Sequence, residues 1–224
     1  MKENIIGREQ EIEKLENYIS SRKSEFIAIY GRRRVGKTFL VKELFENRFA
    51  FRVTGKDNVT TKEQLTSFSF ALNDQLGIET DVTNWPEAFR LLQKALEKMT
   101  DGTKIIFFDE LPWFDTYASN FISALEHFWN DWAFYRSDIK LITCGSATTW
   151  MLNQVINSRG GLHNRITHNI LLSPFKLHEV EEYFKSQGFY YERPEIIECY
   201  MAMGGVAYYL SLFENNKSVA QNIQ

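Results

Sequence analysis

Gly31, Gly36, Lys37 and Thr38 stand in the run Gly31-Arg32-Arg33-Arg34-Val35-Gly36-Lys37-Thr38, which has the spacing G-x-x-x-x-G-K-[ST]. Each residue type has a chemical reason to be there. Two glycines let a backbone turn tightly and approach an anion without Cβ clashes. The N–H groups of the loop, through Arg32, Arg33, Arg34 and Val35, and of the helix start at Phe39 then point at phosphate. Lys37 supplies a compact positive charge for the outer phosphates, and the Thr38 hydroxyl is a ligand for Mg²⁺. The apolar run Phe26–Tyr30 before the loop reads as a buried strand. Leu40, Val41, Leu44 and Phe45 after it have helical spacing. Strand, glycine loop and helix together make a phosphate-binding P-loop, the Walker A pattern.

A second pair of chemical groups follows the run Lys104–Phe108. Asp109 and Glu110 stand where an apolar parallel strand would deliver them to the carboxyl edge of a sheet. This is a Walker B pattern. Asp109 would complete the Mg²⁺ shell and Glu110 would orient and polarise an attacking water. A fourth strand, Ile139–Cys144, ends in Gly145-Ser146. Ser146 or Thr148 could sense the outer phosphate from there, and an ordinary helix cap is the competing reading. Arg165 precedes a fifth apolar run, Ile166–Leu172, where an arginine can reach a neighbouring subunit's nucleotide; a surface salt bridge is the alternative, and Arg159 is its rival. The sequence after Asp109 is Glu-Leu-Pro, not D-x-x-G, and no strand ends in N-K-x-D, so ATP is favoured over GTP. Adjacent Asp and Glu suit water activation better than transfer to a bound alcohol, which argues against a small-molecule kinase.

Composition bounds the rest. The 224 residues are 44% hydrophobic and 15% aromatic, as in an ordinary folded protein. Net charge is −3, with +4 in residues 1–60 and −7 beyond them, so the positive excess surrounds the P-loop. A general nucleic-acid binder would be more basic. Cys144 and Cys199 are far apart and lack metal-ligand spacing, which reads as reduced core thiols in a cytoplasmic protein. No run approaches the ~20 apolar residues of a membrane span, and no secretory signal opens the chain. His178-Glu179 superficially resembles a zinc-protease helix but lacks the second histidine. His127, His163 and His168 form no ligand cluster. Asn58-Val59-Thr60 is a sequon without meaning in the cytoplasm.

These groups need a scaffold. A charged helix with Ile12, Leu15 and Ile19 on one face follows Gly7-Arg8. That dipeptide is either a plain helix start or a turn beside the nucleotide base. Phe49–Thr54 reads as a second strand. Leu65, Phe68, Leu72 and Leu76, then Trp85, Phe89, Leu92, Leu96 and Met99, form helical stripes, with Pro86 in a first turn. Asp101-Gly102 is a turn. Leu111–Phe114 either packs or faces a partner. A helix runs through Phe121, Leu125, Phe128 and Trp132, and a glycine-containing loop covers 157–164. Ser173-Pro174-Phe175 marks a boundary between residues 1–173 and 174–224. Helices are expected over 177–187, 194–203 and, after Gly204-Gly205, over 206–213.

In this order, Gly7-Arg8-Glu9, GRRRVGKT, FFDELPWF, the Cys-Gly-Ser strand end, Arg165 before a strand ending in Ser-Pro-Phe, and GGVAYYL resemble the AAA+-related archaeal and bacterial ATPases of the STAND class. The resemblance covers nearly the whole chain. It implies an α/β P-loop NTPase fold of three α/β/α layers, with a parallel five-stranded sheet of order 5-1-4-3-2 and a small helical lid. It implies ATP or ADP with Mg²⁺, and Gly7 and Arg8 near adenine. It also implies that Gly204-Gly205 opens a lid motif, although this chain has Ala207 where the pattern usually has proline. Relatives usually continue into a winged-helix region and often a further domain, so the chain is expected to be a fragment, with a DNA or protein partner engaged through that region. Arg32–Arg34 exceed what phosphates need and read either as a partner contact or as a solvated loop. Three functions stand: an ATPase coupling nucleotide state to shape, as a homo-oligomer if Arg165 is shared; a nucleotide-locked switch without turnover; or a DNA-linked ATPase.

Overall fold

Three apolar runs, Glu25–Tyr30, Lys104–Asp109 and Ile139–Gly145, are buried on both faces and form the middle of one sheet, with the partly exposed Phe49–Thr54 and His168–Leu171 at its edges. In the computed structural model, which describes residues 5–100, 102–157, 162 and 164–223, the strands are β1 (Glu25–Tyr30), β2 (Phe49–Thr54), β3 (Lys104–Asp109), β4 (Ile139–Gly145) and β5 (His168–Leu171). They are parallel and lie in the order β2-β3-β4-β1-β5. This is the expected 5-1-4-3-2 order read from the other edge.

Strand periodicity divides the interior in two. Phe26, Ala28, Ile106, Phe108 and Leu141 face one side and Ile27, Ile29, Ile105, Phe107 and Ile142 the other. The second side is covered by α1 (Glu9–Ser20) and α2 (Lys37–Phe45), through Leu15, Ile19, Leu40, Val41 and Phe45. The first side is covered by α3 (Thr61–Leu76), α4 (Trp85–Lys98) and α5 (Phe121–Asp131). Local signals start these helices where they do. Thr60 and Glu63 form a reciprocal capping box at α3. Asn84 Oδ1 accepts the Glu87 N–H at 2.9 Å at α4, and Pro86 sits in its first turn.

The first core is aromatic. Trp85 packs edge-on to Phe68, Phe114 and Phe121 at centroid distances of 5.7, 5.6 and 4.9 Å. Phe108, just before Asp109, meets Phe114 at 5.7 Å. Each buried ring contributes on the order of 2–3 kcal/mol. Leu111 and Phe114 therefore pack, as a short 3₁₀ turn; Pro112 and Trp113 are half-buried.

The C-terminal part has its own apolar cluster. It is built from α7 (Leu177–Ser186), α8 (Arg193–Met203), α9 (Ala207–Leu210) and α10 (Val219–Ile223), with Phe175, Val180, Phe184, Ile196, Leu210 and Phe213 inside. Some local expectations differ from what is observed. The helix expected over 206–213 is one turn, because Phe213 folds into the cluster through a turn. The run Ile166–Leu172 forms a strand only over His168–Leu171. A short helix α6 (Thr148–Trp150) continues as a π-helical turn, Met151–Ile156, that the sequence did not announce. Asp101, Arg159, Gly160, Gly161 and His163 lie outside the described residues.

Among the described residues, the buried Trp85 Nε1 has no hydrogen-bond partner. Trp85→Phe should therefore change stability by less than about 1.5 kcal/mol, since it removes an unmet donor along with ring area. Trp85→Ala should cost about 4 kcal/mol and lower Tm by roughly 10 °C. Thermal unfolding of the two variants checks this.

Candidate nucleotide site

Three strand ends meet at the carboxyl edge of the sheet. Register puts Tyr30 beside Gly145, and Phe108 beside Thr143, so Gly31, Asp109 and Ser146 emerge side by side. Gly31, Arg34 and Gly36 have φ of 142°, 72° and 97°. At Gly31 a Cβ would stand 2.3 Å from the Leu172 carbonyl oxygen, so only glycine fits between the loop and the end of β5. At Arg34 the left-handed conformation costs about 1 kcal/mol.

Lys37 opens α2 and is buried. Its Nζ donates to the carbonyls of Gly31 and Arg32, each at 3.0 Å, so the ammonium lies inside the ring of its own loop. Burial pushes its pKa down, with Glu110 and Asp109 opposing. Beside it the Thr38 hydroxyl donates to Asp109 Oδ1 at 2.9 Å. The same oxygen accepts the Glu110 N–H at 3.1 Å. Asp109 is only 4% exposed, and burial raises its pKa despite the Thr38 hydrogen bond. A hydroxyl and a buried carboxylate side by side suit a hard, oxygen-ligated cation such as Mg²⁺, whose charge would offset that burial. Among the described residues no cluster of three or more His, Cys, Asp or Glu could hold a metal by protein ligands alone.

Glu110 has φ of 48°, a left-handed turn that swings its side chain off the strand. Its Oε2 accepts from the Ser146 N–H at 3.1 Å and from the Ser146 hydroxyl at 2.9 Å. Ser146 is thus bound to the second carboxylate, while its rival Thr148 begins α6 with its N–H on the Ser146 carbonyl at 3.0 Å.

Two adjoining cavities open here. One of about 400 Å³ is lined by Arg34, Gly36, Lys37, Thr38, Phe39 and Glu110 from the core, and by Tyr183, Ala207, Tyr208 and Ser211 from the C-terminal helices. The other, about 250 Å³, is largely apolar. Ile5, Ile6, Arg8, Val35, Leu40, Leu172, Phe175 and Gln187 line it, with Gly36, Phe39, Tyr183 and Ala207 shared between the two. Arg8 is committed within that wall. Its Nη2 donates to the Ser173 carbonyl at 2.7 Å and its guanidinium lies 4.6 Å from the Phe175 ring centre. Burial lowers its pKa, with Glu179 opposing. Gly7 turns at φ 64°, where a Cβ would meet Glu179 Oε1 at 2.8 Å.

The structure therefore brings together Gly31–Phe39, Asp109, Glu110 and Ser146, with Arg8 on the adjoining wall. It does not bring Arg165 to them. Thr167 pairs with Phe26 at the amino end of β1, and the Arg165 guanidinium lies 5.0 Å from the Phe134 ring centre at that opposite edge. The Arg32 and Arg33 side chains are exposed. Tyr183, Gln187, Tyr208 and Ser211 escaped the sequence reading. They reach the site only through packing of distant helices, and GGVAYYL was the one signal near them.

A parallel sheet with a P-loop after β1 and adjacent carboxylates at the end of β3 defines a P-loop NTPase. The chain belongs to the family of ATPase domains found predominantly in Archaea, whose profile matches residues 5–213. It is 29% identical over 209 residues to an uncharacterized protein of Methanocaldococcus jannaschii, spanning 92% of this chain and 43% of that one. The chain thus covers less than half the length of that relative. Its fold is similar to the Walker-type ATPase of Pyrococcus abyssi, with TM-score 0.72 and 20% identity over 99% of this chain and 71% of that one. It also resembles a STAND protein with a tetratricopeptide-repeat sensor from Pyrococcus horikoshii, with TM-score 0.56, 18% identity, and coverage of 98% and 32%.

Asp109 carries a folded-state pKa raised above its unfolded value by burial. Its ionisation therefore works against folding once pH rises above the unfolded carboxylate range. Asp109→Asn keeps an oxygen for Thr38 and removes that charge. In the absence of nucleotide it should raise stability at pH 7 by about 1 kcal/mol, with little gain at pH 3, as read from thermal melts at both pH values.

Proposed function

We propose that this ATPase-family domain binds ATP or ADP at the P-loop with Mg²⁺ and hydrolyses ATP. The observation that carries the reading is the convergence of Lys37, the Thr38–Asp109 pair and the Glu110–Ser146 pair on one cavity edge. In this reading the triphosphate lies along the loop over Gly31–Thr38, and the base enters the apolar cavity beside Arg8 and Phe39. Thr38 and Asp109 hold Mg²⁺, which neutralises phosphate charge. Lys37 exchanges its loop carbonyls for phosphate oxygens. Glu110 orients a water and takes its proton as the water oxygen attacks the γ-phosphorus. The bond from that phosphorus to the bridging oxygen breaks, leaving ADP and phosphate. Ser146, beside Glu110, senses the γ-phosphate.

Residues 1–173 act in this reading as the ATPase core and residues 174–224 as a helical lid. The separate apolar cluster of the C-terminal helices supports that division. The AAA+/STAND reading, in which nucleotide state changes shape and that change acts on a protein or DNA partner, is supported by the cavities between core and lid. Arg165, at the far edge of the sheet, serves a phosphate only as the residue of one copy acting on the nucleotide of another in a homo-oligomer.

A switch without turnover is favoured by one observation: the Glu110 carboxylate is held by two hydrogen bonds from Ser146. Steady-state Mg-ATP hydrolysis decides between the two. The wild type should turn over. Glu110→Gln should still bind ATP but lose roughly 100-fold or more in kcat. Lys37→Ala should lose ATP binding altogether, and undiminished binding by that variant would sink the site. Retained nucleotide with no turnover in the wild type makes the chain a switch.

A further inference from the structure

We propose that Arg34 is a positioning residue that latches the helical lid to the P-loop and so sets the rate at which nucleotide leaves; the inference rests on the nucleotide reading of the cavity. P-loop chemistry uses the backbone of the x positions, so the Arg34 side chain has no task that the motif itself assigns. Its conformation gives it one. The residue has a left-handed φ of 72°, and its guanidinium lies against α9. There it lies 4.7 Å from the Tyr208 ring centre and 5.5 Å from that of Tyr209. Arg34 Nη1 also donates to the Tyr209 hydroxyl at 3.2 Å, and the Tyr208 N–H donates to the Arg34 carbonyl at 3.2 Å. Four contacts thus join one loop residue to two consecutive lid residues. Among the described residues, neither the Arg32 nor the Arg33 side chain makes such a contact, so the three arginines are not equivalent.

The position gives the contact its consequence. Arg34 and Tyr208 line the same cavity as Lys37 and Thr38, with the α9 residue Ala207 shared with the adjoining one. A ligand on the P-loop is therefore covered by α9, and the stretch of α9 that covers it is held by Arg34. Breaking the latch frees the cover without removing a phosphate donor, since the Arg34 N–H stays in place. A planar, permanently charged guanidinium is suited to stacking on two rings while donating to a phenol; a lysine ammonium keeps only part of that geometry.

Two measurements test the latch on the full chain. In the nucleotide-free protein, hydrogen exchange of the amides of residues 206–213 should speed up in Arg34→Ala while the sheet amides stay protected; unchanged exchange overturns the latch. With a fluorescent N-methylanthraniloyl ATP chased by excess ATP, Arg34→Ala should release nucleotide roughly tenfold faster at little changed association rate, and Tyr208→Ala by a smaller factor, since it leaves the Arg34 contacts to Tyr209 in place. The double variant should release nucleotide no faster than Arg34→Ala, because Arg34→Ala already removes the ring contact that Tyr208→Ala removes. Arg34→Lys should fall between wild type and Arg34→Ala. Release at the wild-type rate in Arg34→Ala, or single effects that multiply in the double variant, overturns the proposal. If the wild type binds no fluorescent nucleotide, the site reading fails with its trapping role, and the exchange experiment still decides whether Arg34 holds α9.

Discussion

Lys37 and Asp109 are opposite charges drawn out of water at the same edge of one sheet, and the molecule is arranged to keep them there. Neither is comfortable. Burial lowers the one pKa and raises the other. Each is held by short-range hydrogen bonds instead: Lys37 by two loop carbonyls, Asp109 by the Thr38 hydroxyl and the Glu110 amide. Desolvated charges with preset partners favour a ligand carrying phosphate and a cation over bulk water, because the cost of stripping hydration has already been met in folding.

The two cores hold this edge from different sides. Lys37 and Thr38 ride on α2, whose apolar face belongs to the core under α1. The residues flanking Asp109 and Glu110, Phe108 and Leu111, belong to the aromatic core under α3, α4 and α5. The Thr38–Asp109 hydrogen bond therefore joins a helix anchored in one core to the end of a strand that both cores share.

Much of this was legible in the sequence, for physical reasons. Apolar parallel strands announce themselves as runs, and glycine spacing announces a loop that needs positive φ. So β2 was read at its full length and Gly31–Thr38 residue by residue. The sheet order came through the resemblance to a family of ATPases; periodicity alone does not choose among parallel orders. Contacts between residues distant along the chain were out of reach. Nothing local says that Ser146 donates to Glu110, or that Arg34 meets Tyr208 across more than 170 residues of chain. The short α9 was overextended because Val206–Phe213 is apolar enough for a helix, yet Phe213 is needed in the cluster around Phe184.

The approach of β5 to the P-loop has one more consequence. The Leu172 N–H donates to the Tyr30 carbonyl at 2.8 Å, its carbonyl presses on Gly31, and Arg8 grips the next carbonyl, that of Ser173. Two residues beyond Ser173, the Phe175 N–H donates to the Gly205 carbonyl at 2.8 Å. The chain entering the C-terminal helices is thus pinned to the same few atoms that bound the phosphate loop. Those helices meet the loop twice, at this backbone root and where Arg34 touches Tyr208 and Tyr209. The backbone that bounds the phosphate loop and the backbone that begins the C-terminal cluster are therefore one continuous, hydrogen-bonded stretch.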